Sequence, residues 1–138
     1  EGLIMKRLLI ILFIVITLTI TITGCTSMEK NQTGTETAYK KISAEEAKAI
    51  IDSEDVIILD VRTQEEYNEG HIENSVLLPV NDIADKAEEK LPDKDAKILV
   101  YCRSGNRSAT AAKQLIKMGY TNVYDFGGIN SWPYGTVK

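Results

Sequence analysis

The stretch Ile98-Leu99-Val100-Tyr101-Cys102-Arg103-Ser104-Gly105-Asn106-Arg107-Ser108 decides how the rest of the chain is read. An unbroken apolar run of this kind suits a strand buried on both faces, the habit of parallel sheets. The run ends in a loop of small and basic residues, after which an Ala-rich helix is expected from Ser108 to Met118, with Gly119 as its stop. Cys102 then lies at the carboxyl end of a strand, below the mouth of a helix. Loop N–H groups, the helix dipole and the guanidinium groups of Arg103 and Arg107 all favour thiolate over thiol and attract anions. Ser104, Gly105 and Asn106 supply main-chain donors and permissive backbone angles that aim those donors. This is the pattern of a nucleophile beside an anion site.

Outward from this stretch, short apolar segments alternate with amphipathic helices from Tyr39 onward, the signature of an α/β layer fold with a largely parallel sheet. Ser43-Ala44-Glu45-Glu46 is a capping box, opening a helix to about Asp52 whose apolar side carries Ala47, Ile50 and Ile51. Val56-Ile57-Ile58-Leu59 reads as a strand ended by Asp60-Val61-Arg62, and Thr63-Gln64-Glu65-Glu66 as a second capping box. Gly70-His71 breaks that helix, Val76-Leu77-Leu78 is a further strand stopped by Pro79, and Asn81 or Asp82 is expected to cap a helix ending at Leu91-Pro92. Val123 to Phe126 is a last strand before Gly127-Gly128. In open parallel sheets ligands bind outside the carboxyl ends of the strands, so Asp60-Val61-Arg62 and Cys102 should be neighbours in space.

The chain has 138 residues, 43% of them hydrophobic and 26% charged, which suits one domain with something appended. Lys6-Arg7, an apolar run from Leu8 to Ile22 and Gly24-Cys25 read as an export signal over 1–24, since a membrane-crossing helix needs about 20 apolar residues. Met5 is the expected initiator, with residues 1–4 upstream of it as non-native sequence. Ile22-Thr23-Gly24-Cys25 resembles the lipobox of bacterial lipoproteins, which implies cleavage before Cys25 and a diacylglyceryl group on its thiol. Residues 25–38, almost free of apolar side chains, are expected to be a flexible tether, and residues 39–138 the domain. The expected location is a membrane surface outside the cytoplasm, reached through the lipid anchor.

Cleavage there leaves 14 basic residues against 19 acidic ones, a net charge of −5, and no basic stripe of the kind nucleic acids require. Cys25 and Cys102 are the only cysteines, so acylation of Cys25 leaves Cys102 an unpaired thiol. One free Cys and the single histidine, His71, are too few ligands for zinc, and no metal site is expected.

Leu59-Asp60-Val61-Arg62, Glu65-Glu66-Tyr67, Gly70-His71-Ile72, Val100 to Ser108, and Gly127-Gly128-Ile129 with Trp132 stand in an order and spacing that resemble a single-domain rhodanese. The resemblance covers Tyr39 to about Trp132. It implies a three-layer α/β fold with a largely parallel central sheet flanked by helices, and a sulfurtransferase needing no cofactor. Cys102 is implied as the nucleophile that takes sulfane sulfur from a small anionic donor such as thiosulfate. It would hold the sulfur as a persulfide and pass it to an external thiophilic acceptor, cyanide in vitro or a thiol in vivo. Residues 103–108 are implied as the donor loop, with Arg107 docking the anion and Arg103 either docking it or facing solvent. Asp60, Arg62 and His71 are implied as structural residues near the site, Glu66 as a helix cap, and Trp132 as a packing anchor.

The family usually carries Pro-Gly-Ala after the Gly-His-Ile segment, where this chain has Glu73-Asn74-Ser75. Asn tolerates the turn, and the cleft rim is expected to become more acidic and polar. A phosphatase of the Cys-x5-Arg type also cradles an anion at a helix N-terminus, but here the arginine falls one residue early, at Arg107, and Tyr101 replaces the histidine customary before the cysteine. The alternative to turnover on small molecules is a persulfide carrier or protein-binding module, favoured by the lack of a second thiol in the domain. A monomer is expected.

Overall fold

A computed structural model describes Gly2 and residues 39–138. The expected export signal, the lipidation residue Cys25 and the tether lie outside the described residues. The elements in chain order are β1 (Lys40–Lys41), α1 (Ala44–Ser53), β2 (Ile57–Asp60), α2 (Gln64–Glu69), β3 (Val76–Leu77), α3 (Ile83–Lys90), β4 (Ile98–Cys102), α4 (Asn106–Lys117) and β5 (Val123–Gly128). Single 3-10 turns at Val80–Asp82 and Ile129–Ser131 complete them.

The five strands form one parallel sheet in the order β1-β5-β4-β2-β3. Period-two alternation sends successive side chains to opposite faces. Ile98, Val100 and Cys102 of β4, with Leu59, meet Ile83, Ala87, Ala111, Ala112 and Leu115 of α3 and α4 on one face. Leu99 and Tyr101, with Ile58 and Phe126, meet Ala47, Ile50 and Ile51 of α1 on the other. All five β4 residues are therefore buried, which is why the strand reads as continuously apolar. The result is the expected three-layer α/β fold.

Both capping boxes form, the Ser43 hydroxyl accepting from the Glu46 N–H and the Thr63 hydroxyl from the Glu66 N–H, with each glutamate returning to its cap N–H. Two helix starts differ from the sequence expectation. Neither Asn81 nor Asp82 caps α3 through its side chain; a 3-10 turn over Val80–Asp82 feeds the helix directly, its Asp82 N–H donating to the Pro79 carbonyl. The helix expected from Ser108 starts at Asn106, because Gly105 takes the left-handed conformation (φ 106°) and acts as its N-cap. Strand β1 had no apolar signal: Lys40 and Lys41 are both exposed, a usual way of protecting a sheet edge.

Register shifts once, at the site. Val100 faces Asp125 but Cys102 faces Gly128, so β5 carries one extra residue, accommodated by Gly127 at φ 87°. The Asp125 carboxylate accepts the Gly127 N–H at 2.9 Å and holds the bulge in place. Among the described residues no helix is long and apolar enough to cross a membrane.

Candidate active site

Strand β4 delivers Cys102, 1% exposed, to the sheet's carboxyl edge, and α4 begins four residues later. The N–H groups of a helix's first turn have no partner within the helix, and α4 has no side-chain cap to absorb them. They are left to serve an anion at the sulfur. The Gly105 N–H donates to Cys102 Sγ at 3.0 Å. Burial pushes the thiol up, but the Ser108 and Gly105 N–H groups, the Ser108 hydroxyl and the Ser104 N–H together outweigh it and hold the thiol below its ordinary value. The hydroxyl of Ser108, fully buried, also lies 3.0 and 3.2 Å from the Gly105 and Gly127 carbonyls, either of which can accept its single proton, where loop and β5 bulge meet.

The loop is also held from below. Gly128 passes so close beneath it that a Cβ would stand 2.2 Å from the Arg103 carbonyl oxygen and 2.7 Å from Ser104 Cα. The Asn130 N–H donates to that same Arg103 carbonyl at 3.2 Å. In the sequence Gly127-Gly128 ends a strand and carries part of the family resemblance, but nothing local signals which distant backbone crosses it.

The two arginines part company. Arg107, in the first turn of α4, donates through both terminal nitrogens to the Glu66 carboxylate at 2.6 and 2.8 Å. Both terminal nitrogens of Arg107, the residue expected to dock an anion, are thus engaged by a carboxylate of this chain. Glu66 caps α2 and pairs with Arg107 using one carboxylate, and the guanidinium, against the cost of partial burial, holds it down at about 2. Arg103 is exposed, and its guanidinium has no hydrogen-bonding or ionic partner among the described residues.

Beneath the loop, on the opposite sheet face, lies a buried polar network. Asp60, fully buried, accepts from the Arg62 Nε and Nη2 at 3.0 and 2.6 Å and from the Tyr101 hydroxyl at 2.6 Å. Arg62 Nη2 also donates to the Gly70 carbonyl, which fastens α2's end to the strand. Tyr101 accepts the Ile72 N–H and lies 3.2 Å from the Ser75 hydroxyl. Ser75, expected on a polar rim, is instead buried at 7% exposure as part of this network. Asn74 takes the turn at φ 63°, and Glu73 stays exposed. Every buried charge here is paired, since removing one partner of such a pair costs about 3–5 kcal/mol.

His71 is built into the scaffold. Its Nδ1 donates to the Tyr67 carbonyl at 3.0 Å, and its ring stacks on Tyr67 with centroids 3.7 Å apart. Its backbone exchanges two 2.9 Å hydrogen bonds with Val137. Trp132 packs against Phe126 and Tyr134, with centroids 5.5 and 4.9 Å apart. Among the described residues no cluster of His, Cys, Asp or Glu could hold a metal ion.

A cysteine thiol cradled by main-chain donors at a helix mouth, at the edge of a five-stranded parallel sheet, is an arrangement that suits a covalent nucleophile. The family profile of the rhodanese-like domain matches residues 43–133, and the chain belongs to that family. It is an enzyme of the sulfurtransferase class. It is 37% identical over 95 residues to the thiosulfate sulfurtransferase GlpE of Coxiella burnetii, covering 68% of this chain and 87% of that protein. It is 32% identical over 80 residues to the thiosulfate sulfurtransferase PspE of Escherichia coli, covering 58% and 77%. The crystal structure of a rhodanese-related protein from Thermoplasma volcanium is similar, at 35% identity and a TM-score of 0.63, covering 72% of this chain and 98% of that one.

Proposed function

We propose that the protein moves the sulfane sulfur of thiosulfate, or of a donor like it, to a thiophilic acceptor through a persulfide on Cys102. The observation that carries this reading is the Cys102 sulfur, held below the ordinary thiol range by donors of its own loop. The thiolate attacks the outer sulfur of thiosulfate; a bond forms between the two sulfurs, the thiosulfate S–S bond breaks, and sulfite leaves with the electron pair. Cyanide, or a thiolate, then attacks the outer persulfide sulfur and regenerates the Cys102 thiolate. The donors that hold the thiolate would serve the persulfide anion equally. In the test, thiosulfate adds one sulfur atom to the intact protein on the peptide containing Cys102, and cyanide then releases thiocyanate. Protein that gains no sulfur rejects the reading.

The exposed guanidinium of Arg103 is the loop charge free to meet an anionic donor. Arg103→Gln is expected to raise the KM for thiosulfate about tenfold with kcat within about twofold, the loss of one charge-assisted contact. An unchanged KM would remove Arg103 from donor recognition.

A carrier role, in which a partner protein discharges the persulfide, is favoured by Cys102 being the only thiol among the described residues. It shares the sulfur-loading step and differs in the acceptor; sulfur gain without thiocyanate formation selects it.

The same enzyme works, in this reading, as a lipid-anchored protein outside the cytoplasm, attached through Cys25. Its support is the order Lys6-Arg7, the apolar run 8–22 and Ile22-Thr23-Gly24-Cys25. Expressed in bacteria, the chain is expected to lose residues 1–24 and to gain the mass of a diacylglyceryl group on Cys25, and Cys25→Ser to do neither; an unmodified Cys25 rejects the anchor.

A further inference from the structure

Glu66 uses one carboxylate for two purposes: Oε2 accepts the Thr63 N–H that closes the α2 capping box, and both oxygens take the fork of Arg107. Thr63 and Arg107 belong to different layers of the site, so the carboxylate joins the start of α2 to the first turn of α4. Arg107 sits in the first turn of α4, the helix whose mouth faces the sulfur that ends β4. An uncompensated positive charge at that helix mouth would draw anions to the sulfur, and most strongly those of charge two. The Glu66 carboxylate cancels it. Asp60 and Arg62 cancel likewise, which leaves Arg103 as the unpaired positive charge of the loop among the described residues.

We propose that Glu66 is a positioning residue that sets donor selectivity: by holding Arg107 in a neutral pair it keeps the cleft from favouring dianionic donors over monoanionic and neutral sulfane-sulfur carriers such as small organic persulfides. The proposal rests on the sulfurtransferase reading for its substrates, but not for its test.

Glu66→Gln separates the two purposes of the residue. Glutamine retains an amide oxygen for the Thr63 N–H, as capping boxes allow, while its NH2 group meets Arg107 Nη2 donor to donor and the carboxylate charge that cancelled the guanidinium is gone. The measurement is the rate of Cys102 alkylation by iodoacetate, an anion, divided by the rate with iodoacetamide, which is neutral. Dividing the rates cancels changes in thiolate fraction and leaves the local potential. Glu66→Gln is expected to raise this ratio about threefold to tenfold, the range for one added charge near the sulfur at intermediate dielectric. It is also expected to lower the thiosulfate KM by a similar factor, with kcat within about twofold. The double variant Glu66→Gln, Arg107→Gln, which restores electrical neutrality, returns the ratio to within about twofold of the parent.

A Glu66→Gln ratio equal to the parent's overturns the proposal. So does a double variant well below the parent, because Arg107 would then already attract the anion from within its pair. Melting midpoints of all three proteins show whether the α2 cap survives. If the parent transfers no sulfur from thiosulfate, the sulfurtransferase reading fails by itself, and the alkylation ratio still decides the role of Glu66.

Discussion

Cys102→Ser is expected to abolish sulfur transfer, with thiocyanate formation from thiosulfate and cyanide falling at least about 1,000-fold to the uncatalysed level and no sulfur appearing in the intact mass. The hydroxyl that replaces the thiol is too weakly acidic to form the attacking anion near neutral pH, whatever donors surround it. Stability should barely change, by about 1 kcal/mol or less, because the serine oxygen still accepts the Gly105 N–H and the site remains packed. Loss of activity without loss of fold is therefore the expected signature. Turnover persisting in Cys102→Ser would sink the persulfide mechanism. The pH dependence follows from the same geometry. The thiol is held below its ordinary value, so the thiolate persists as pH falls from alkaline toward neutral and is lost only as pH drops through that lowered value. The loading rate of the wild-type protein should rise with pH and level off below the pH at which a free cysteine titrates, about 8.5. A rate still climbing above that pH contradicts the lowered thiol.

Gly128→Ala is the second large effect, and it acts on the fold and the site together. The added methyl would lie 2.2 Å from the Arg103 carbonyl oxygen and 2.6 Å from its carbon, both main-chain atoms that cannot rotate away. Either β5 or the loop must move. Overpacking against rigid neighbours costs about 1–3 kcal/mol, and contact with backbone puts this case at the upper end. For a domain of this size a loss of that order lowers the melting midpoint by about 10 °C or more. Displacing the loop also moves the Gly105 N–H away from the sulfur, and a misplacement of about 1 Å is enough to cost about 100-fold in kcat/KM. Gly127→Ala is the control. Nothing lies within 4 Å of its Cβ position, so only the left-handed backbone at φ 87° resists it, a penalty of about 1–2 kcal/mol. If Gly128→Ala is no worse than Gly127→Ala in both melting and turnover, the close approach is not what holds the loop.

Much of this was legible in single residues. The unbroken Ile98 to Tyr101 run announced a doubly buried parallel strand, because nothing along it needed to meet water. Ser43 and Thr63, each followed three residues later by glutamate, announced two helix starts, because a capping box is a purely local arrangement. The start of α4 was misread by two residues, since the left-handed turn at Gly105 that begins it is one of several conformations open to Ser-Gly-Asn. Strand β1 left no trace in hydropathy, being two exposed lysines held only by main-chain pairing to β5.

The family and the candidate nucleophile are legible in the sequence itself, in the local order of strand, cysteine, glycine-bearing loop and helix. Only the tertiary structure decided how the charges around Cys102 are shared. Tyr101 meets Asp60, and Arg107 meets Glu66, each across 41 positions of chain. Such pairings follow from which strand ends lie side by side in the sheet and from the rotation at which α4 begins, and neither is set by the residues next to the ones that pair. Cys102 could be recognised as a thiol among donors from its neighbours in the chain. That one of its two arginines is already spoken for depends on a glutamate brought there by the fold.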